Sequence, residues 1–248
     1  MCLVAFSLQE HSPVGLVFAA NRDELHLRAT ADAGWWEDNR DIYGGRDLVA
    51  GGSWLAVDRS GRLAAVTNFR EDPRTEYSQS RGRLVGDYLS DSVTATDFLA
   101  ALEPSKNDYG PFNLILFDGR ELHYASNRAA TQRLAQGVHA LSNAELGAPW
   151  PKVRHAAATL EVCREHAEPA ECLFCMLTDR SLHGDVAPDA DRATELRSTI
   201  YVTDEHYGTR CSTVVMLSPE GELQFTERRF AANGAPRGES IENFRING

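Results

Sequence analysis

The chain is 248 residues long and carries a formal net charge of −11, with a pI near 5.2, an acidic balance that argues against a general nucleic-acid or anionic-membrane surface. Apolar residues make up 42% and charged residues 25%, and the mean hydropathy is −0.37, ordinary values for a globular chain long enough to bury a substantial core. No stretch approaches the ~20 apolar residues of a membrane span, and the N-terminal apolar run is too short and lacks the basic lead of a signal peptide, which predicts a cytoplasmic protein.

The second residue is Cys2. A small residue there lets an aminopeptidase remove Met1, leaving a thiol and a free α-amine on one residue, a nucleophile beside its own base. The amine titrates near ~7.7 to 8.0, so much of it is neutral at physiological pH and able to take the thiol proton. Residues 3–6 read as an apolar strand, and residues 16–20 as a second that runs into Asn21, Arg22, Asp23 and Glu24. Paired as an antiparallel hairpin, the tail of the second strand returns beside the head of the first. That places Asn21 to Glu24 next to Cys2, where an arginine favours the thiolate.

Further along, residues 54–58 and 63–68 flank a turn that holds Gly61, residues 112–117 and 121–126 flank Asp118 and Gly119, and residues 213–217 and 223–230 flank a third turn; each reads as a hairpin. Helical spacing of apolar residues predicts helices at 94–102, around Val153, Ala157, Leu160 and Cys163, and after Pro169. Several strands are apolar nearly throughout instead of alternating, so the sheets are expected to be covered on both faces. The resulting expectation is an α+β fold of mostly antiparallel sheets, a four-layer α-β-β-α sandwich. With no repeat and no low-complexity linker, residues 1–248 read as a single domain.

Five cysteines, an odd number, fit a reducing compartment better than a disulfide framework. Cys163, His166, Cys172 and Cys175 have a spacing that evokes zinc, but they fall in helical segments, and buried free helical cysteines are the expectation; no metal site is assigned.

Met1-Cys2 before an apolar strand, and Asn21-Arg22-Asp23-Glu24 at the end of the next, resemble the NRDE family, also called the transport and Golgi organisation protein 2 family. Gly51-Gly52-Ser53-Trp54, the stretch from Ala65 to Arg70, Leu141-Ser142-Asn143-Ala144 with Pro149-Trp150, and Tyr207-Gly208-Thr209-Arg210 extend the resemblance in order along the chain. That family is similar in turn to the N-terminal-nucleophile hydrolases of the penicillin V acylase and bile salt hydrolase branch, which implies their fold. The resemblance implies Cys2 as nucleophile, Asp23 as the carboxylate that orients the α-amine, and Asn68 and Asn143 as oxyanion donors. Arg22, Asn21, Glu24 and Arg210 are the implied substrate-binding residues. Where the acylases carry an arginine, this chain has Ala20; Arg22 lies two positions on, on the same strand face.

Two functions follow from one cleft. The first is hydrolysis of a C–N amide or thioester bond of a small acyl compound, with no cofactor required. The second is a non-catalytic carrier, since the resemblance implies haem or acyl-coenzyme A as a ligand. Both predict a small-molecule partner, without nucleic acid or membrane span.

Overall fold

The structure is a computed structural model that describes residues 2–9, 12, 14–70 and 77–247. Its strands are β1 (Leu3–Leu8), β2 (Leu16–Leu25), β3 (Thr30–Trp35), β4 (Ile42–Asp47), β5 (Leu55–Asp58), β6 (Leu63–Asn68), β7 (Phe112–Phe117), β8 (Leu122–Ser126), β9 (Gln132–Arg133), β10 (Gly137–Leu141), β11 (Tyr207–Leu217), β12 (Glu222–Phe230) and β13 (Pro236–Arg245). Its helices are α1 (Arg83–Ser90), α2 (Ala95–Leu102), α3 (Pro151–Cys163), α4 (Pro169–Leu177) and α5 (Arg192–Ser198). The fold class is α+β, as the apolar strands and amphipathic helices predict. Among the described residues no helix is long and apolar enough to cross a membrane.

The chain divides into two compact units. The first holds residues 1–27, 136–142 and 146–243 and is built on a six-stranded sheet in the order β10-β1-β2-β11-β12-β13. β1 and β2 pair antiparallel with Leu3 opposite Asn21 and Val4 opposite Ala20. Alternation then sends Leu3, Ala5, Val17 and Ala19 to one face, where they pack with Val153, Ala156 and Leu160 of α3 and with Leu173, Phe174 and Leu177 of α4. Phe6 and Phe18 point to the opposite face, also fully buried, with ring centroids 5.5 Å apart. Both faces are covered, which explains why these strands are apolar throughout. Each such buried side chain contributes about 1.5 to 3 kcal/mol relative to exposure.

One polar side chain interrupts that helix-facing row. Asn21 donates through Nδ2 to the carbonyls of Leu177, at 2.7 Å, and Ile200, at 3.1 Å, and its Oδ1 accepts from the Ser212 hydroxyl at 2.6 Å. The amide thus closes the last turn of α4 onto β2, satisfying carbonyls that a helix end leaves open.

The second unit holds residues 28–135, 143–145 and 244–248, with a seven-stranded sheet in sequence order from β3 to β9. Ile42, Ala56, Ala64, Val66, Leu114 and Leu116 pack with Leu84, Val85, Tyr88 and Leu89 of α1 and with Leu99 and Leu102 of α2. Trp36 lies in this core and donates from its indole N–H to the Gly44 carbonyl at 3.0 Å. Trp35 is half-buried against Tyr43 and Phe244, with Arg59 over its ring.

Three features depart from expectation. α1 has an apolar stripe, but Gly82 at its start and Gly86 within it weaken the helical signal. β13 is an edge strand of alternating exposed polar residues, so its composition reads as a tail. Cys163 and Cys172 are not free: the short turn after α3 folds α4 back and brings their Cα atoms to 5.4 Å, joined as a disulfide. Cys175 is exposed rather than buried, and Cys211 is buried.

The loop around Gly51-Gly52-Ser53 has a steric reason for its composition. Ser53 N–H donates to the Gly82 carbonyl at 2.9 Å, and a Cβ on Gly52 would lie 2.3 Å from the Gly82 carbonyl carbon. Gly34, by contrast, faces open space. Equilibrium denaturation should therefore show Gly52→Ala losing about 1 to 3 kcal/mol, while Gly34→Ala stays within roughly 0.5 kcal/mol of the parent.

Candidate functional site

The hairpin of β1 and β2 determines where Cys2 stands. With Leu3 opposite Asn21, the next pair outward is Cys2 and Arg22. The Cys2 Sγ reaches the Asp23 carbonyl oxygen at 4.0 Å, and the Cys2 carbonyl accepts from the Ser142 hydroxyl just beyond β10. The N-terminal end is thereby tied to both neighbouring strands, with the thiol at the Arg22-Asp23 corner.

β11 completes that corner from the other side of β2. Thr209 pairs with Asp23 and Cys211 with Arg22, so Arg210 occupies a bulge between them. The bulge shifts the register by one residue while pairing continues on either side. Thr209 donates from its hydroxyl to Asp23 Oδ1 at 2.7 Å while accepting from the Val202 N–H at 2.9 Å. The Tyr207 hydroxyl donates to the Asp23 carbonyl at 3.1 Å. Arg210, released by the bulge, donates to the Leu25 carbonyl at 2.8 Å. The Glu24 carboxylate accepts from the Leu25 N–H at 2.7 Å.

Charge is concentrated here under cover. Asp23 is 5% exposed, Arg22 6%, and Lys152, in the first turn of α3, is fully buried. Burial drives the Lys152 ammonium below its ordinary range, against the attraction of Asp23 and of Cys2. Arg210 is lowered first by burial and then by the like charge of Arg22. Burial pushes the Cys2 thiol up, the N-terminal ammonium opposes it most, the Asp23 charge adds to the rise, and Arg22 is the weakest of the opposing influences. This corrects the expectation that Arg22 makes the resting thiol a thiolate: desolvation outweighs the neighbouring cation, so the thiol rests protonated and needs a base. Cys211, which pairs with Arg22 between β11 and β2, is raised well above the ordinary thiol range by burial and by Glu227.

Of the residues singled out from the sequence, Cys2, Asn21, Arg22, Asp23, Glu24 and Arg210 all belong to the first unit. Asn21 has its amide engaged with buried backbone and Ser212, as described above. Asn68 and Asn143 belong to the second unit, where the Asn143 amide donates to the Asn68 carbonyl at 2.8 Å and the Asn143 carbonyl accepts from the Arg70 N–H at 2.8 Å. Met1 lies outside the described residues.

Sequence reasoning passed over Ser142, Lys152, Tyr207 and Thr209. Three of these sit within motifs that it quoted for their neighbours. Lys152 left a weaker signal: a cation in the first turn of a helix opposes the helix dipole, so local preference does not account for it.

Residues 1–232 match the model of the family described as Transport and Golgi organisation 2. The Transport and Golgi organization protein 2 homolog of Bos taurus is 31% identical over 99% of this chain and 99% of its own length. The Homo sapiens homolog is 31% identical over 92% of each chain. Among solved structures, the Caenorhabditis elegans N-acylethanolamine-hydrolyzing acid amidase ortholog is similar in fold, with a TM-score of 0.50 at 12% identity, over 88% of this chain and 93% of that one. The expected fold is therefore matched from outside as well as from its strands, and the matched span takes in every element from β1 through β12. The chain belongs to the Transport and Golgi organisation 2 family.

Proposed function

We propose that this protein is an N-terminal-cysteine hydrolase that cleaves a C–N amide or thioester bond of a small acyl compound, with Cys2 as its nucleophile. The observation that carries this reading is the Cys2 thiol placed at the Asp23 carbonyl, in a corner where the Asp23 carboxylate is fixed by Thr209. Its first unit contains all the groups that the reading uses.

Removal of Met1 exposes the Cys2 α-amine. The neutral amine accepts the thiol proton as the sulfur attacks the acyl carbon, forming the S–C bond and placing the electron pair on the carbonyl oxygen. Collapse of that intermediate expels the amine or thiol leaving group, which takes the proton back from the ammonium, and leaves a thioester on Cys2. Water, deprotonated by the same amine, then hydrolyses the thioester and releases the acid. Asp23 orients the ammonium through a carboxylate that Thr209 keeps in one rotamer. The Arg22 charge opposes the desolvation of the sulfur as it becomes anionic. Lys152 balances the Asp23 charge inside the protein. The fold is one on which an acid amidase is built, which accords with acyl chemistry.

A second reading has one observation in its favour. Burial, and then the like charge of Arg22, lower the ease with which Arg210 carries its charge, and two such guanidiniums welcome an anion. A carrier for acyl-coenzyme A or haem would use them to hold a phosphate or a propionate, without need of the thiol.

Three measurements separate these readings. Cys2→Ala should lower turnover of amide or thioester probes by roughly 10³-fold or more while leaving binding of a substrate analogue nearly unchanged; undiminished turnover would exclude Cys2 as nucleophile. On the carrier reading, Arg22→Ala and Arg210→Ala should each weaken an anionic ligand by about 1.5 to 3 kcal/mol, with Cys2→Ala neutral, as read by calorimetry. Alkylation by iodoacetamide, followed by peptide mass spectrometry, should modify exposed Cys175 first and Cys2 more slowly. Because the Cys2 thiol is raised, its rate should keep climbing with pH well above the ordinary thiol range. Rapid Cys2 labelling at neutral pH would contradict the protonated resting state.

A further inference from the structure

We propose that His155, Asp179 and His183 form a binding site for a divalent transition-metal ion of the zinc type, separate from the corner at Cys2 and independent of the hydrolase reading. One imidazole nitrogen from each histidine and one carboxylate oxygen lie within 4.8 Å of one another. The two rings stack with centroids 3.8 Å apart and planes 18° from parallel, and Asp179 Oδ2 stands 3.3 Å from His183 Nε2.

The donors come from three segments of the first unit, each fixed by its own backbone. His155 lies on α3, with its ring nitrogen Nε2 at 3.3 Å from the Thr159 hydroxyl one turn on. Asp179 follows α4; its N–H donates to the Met176 carbonyl and its carbonyl accepts from the Tyr201 N–H at 3.0 Å. Its Oδ1 accepts from the Ser181 N–H at 2.8 Å, which leaves Oδ2 turned toward the histidines. His183 N–H donates to the Ser198 carbonyl at 2.9 Å, and the adjacent Leu182 pairs with Thr199. Gly184 then turns away with a φ of +80°, tight against the Pro151 ring at the head of α3.

The second observation is the state of His183 itself. Its Nε2 is buried without a hydrogen-bond partner, although a carboxylate oxygen is close. A buried nitrogen so placed calls for an explanation, and a bound ion supplies one. Two imidazoles and one carboxylate are the donor set of zinc, cobalt or ferrous iron, and not of magnesium or calcium, which take oxygen ligands. Three protein ligands leave a fourth position for water or a small anion. Cys163 and Cys172 cannot compete for the ion, since they are joined to each other.

The test uses the full chain, stripped with chelator and titrated with Co²⁺ and Zn²⁺ by calorimetry and visible absorption. One ion per chain and a Co²⁺ ligand-field band are expected. His155→Ala, His183→Ala and the nearly isosteric Asp179→Asn should each weaken binding by at least roughly tenfold. Cys175→Ser, which removes the exposed thiol, should leave affinity and spectrum unchanged. Absence of binding by the parent, binding untouched by the three site substitutions, or binding lost with Cys175→Ser would each overturn the site. Should a histidine variant fail to fold, Asp179→Asn alone decides, because it keeps the side-chain shape and removes only the charge.

Discussion

The carboxylate of Asp23 is buried at the end of β2, and the first unit is arranged around that charge. An ionised carboxylate out of water costs several kcal/mol unless hydrogen bonds and an opposite charge compensate it. Thr209 supplies the hydrogen bond from β11, and Lys152 supplies the charge from α3. Tyr207 and Cys2 meet the same residue at its backbone carbonyl. Three segments far apart in the chain, the N-terminal end, α3 and β11, therefore converge on Asp23. Asn21, two residues earlier on the same strand face, does the equivalent for α4 by taking up the open carbonyl of its last turn.

That arrangement has a chemical consequence. A dry corner strengthens every electrostatic interaction within it, and it also disfavours a charged sulfur. The neighbouring arginine is a weaker influence than burial on Cys2. A nucleophile in such a place depends on a base that moves with the reaction, and the α-amine of the same residue is the base that needs no further side chain. On the hydrolase reading proposed above, removal of Met1 would be a chemical requirement. The corner as folded favours the protonated thiol.

The stretch from α3 through Gly184 shows the same economy in another form. It carries Lys152 toward Asp23, Cys163 toward Cys172, and His155 toward Asp179 and His183. Three successive faces of one helix and its return are thus each committed to a polar or covalent partner, while Val153, Ala156 and Leu160 pack on the sheet. Any shift of α3 along its axis would disturb all of them together, so the helix has a single register.

Much of this was legible in the chain. Uninterrupted apolar runs at residues 3–6 and 16–20 require strands covered on both faces, and antiparallel pairing then puts Cys2 beside Arg22 and Asp23 by geometry alone. The Gly-containing turns delimit β5 with β6, β7 with β8, and β11 with β12, and apolar periodicity places α2, α3 and α4. These are local properties, carried by the spacing of neighbouring residues. The Arg210 bulge, the burial of Lys152, the disulfide, the weakly patterned α1, the edge strand β13 and the meeting of His155, Asp179 and His183 were decided only by the tertiary structure. Each depends on which distant segment arrives alongside, and the balance of desolvation against a neighbouring charge, which sets the state of Cys2, depends on how deeply that packing covers it.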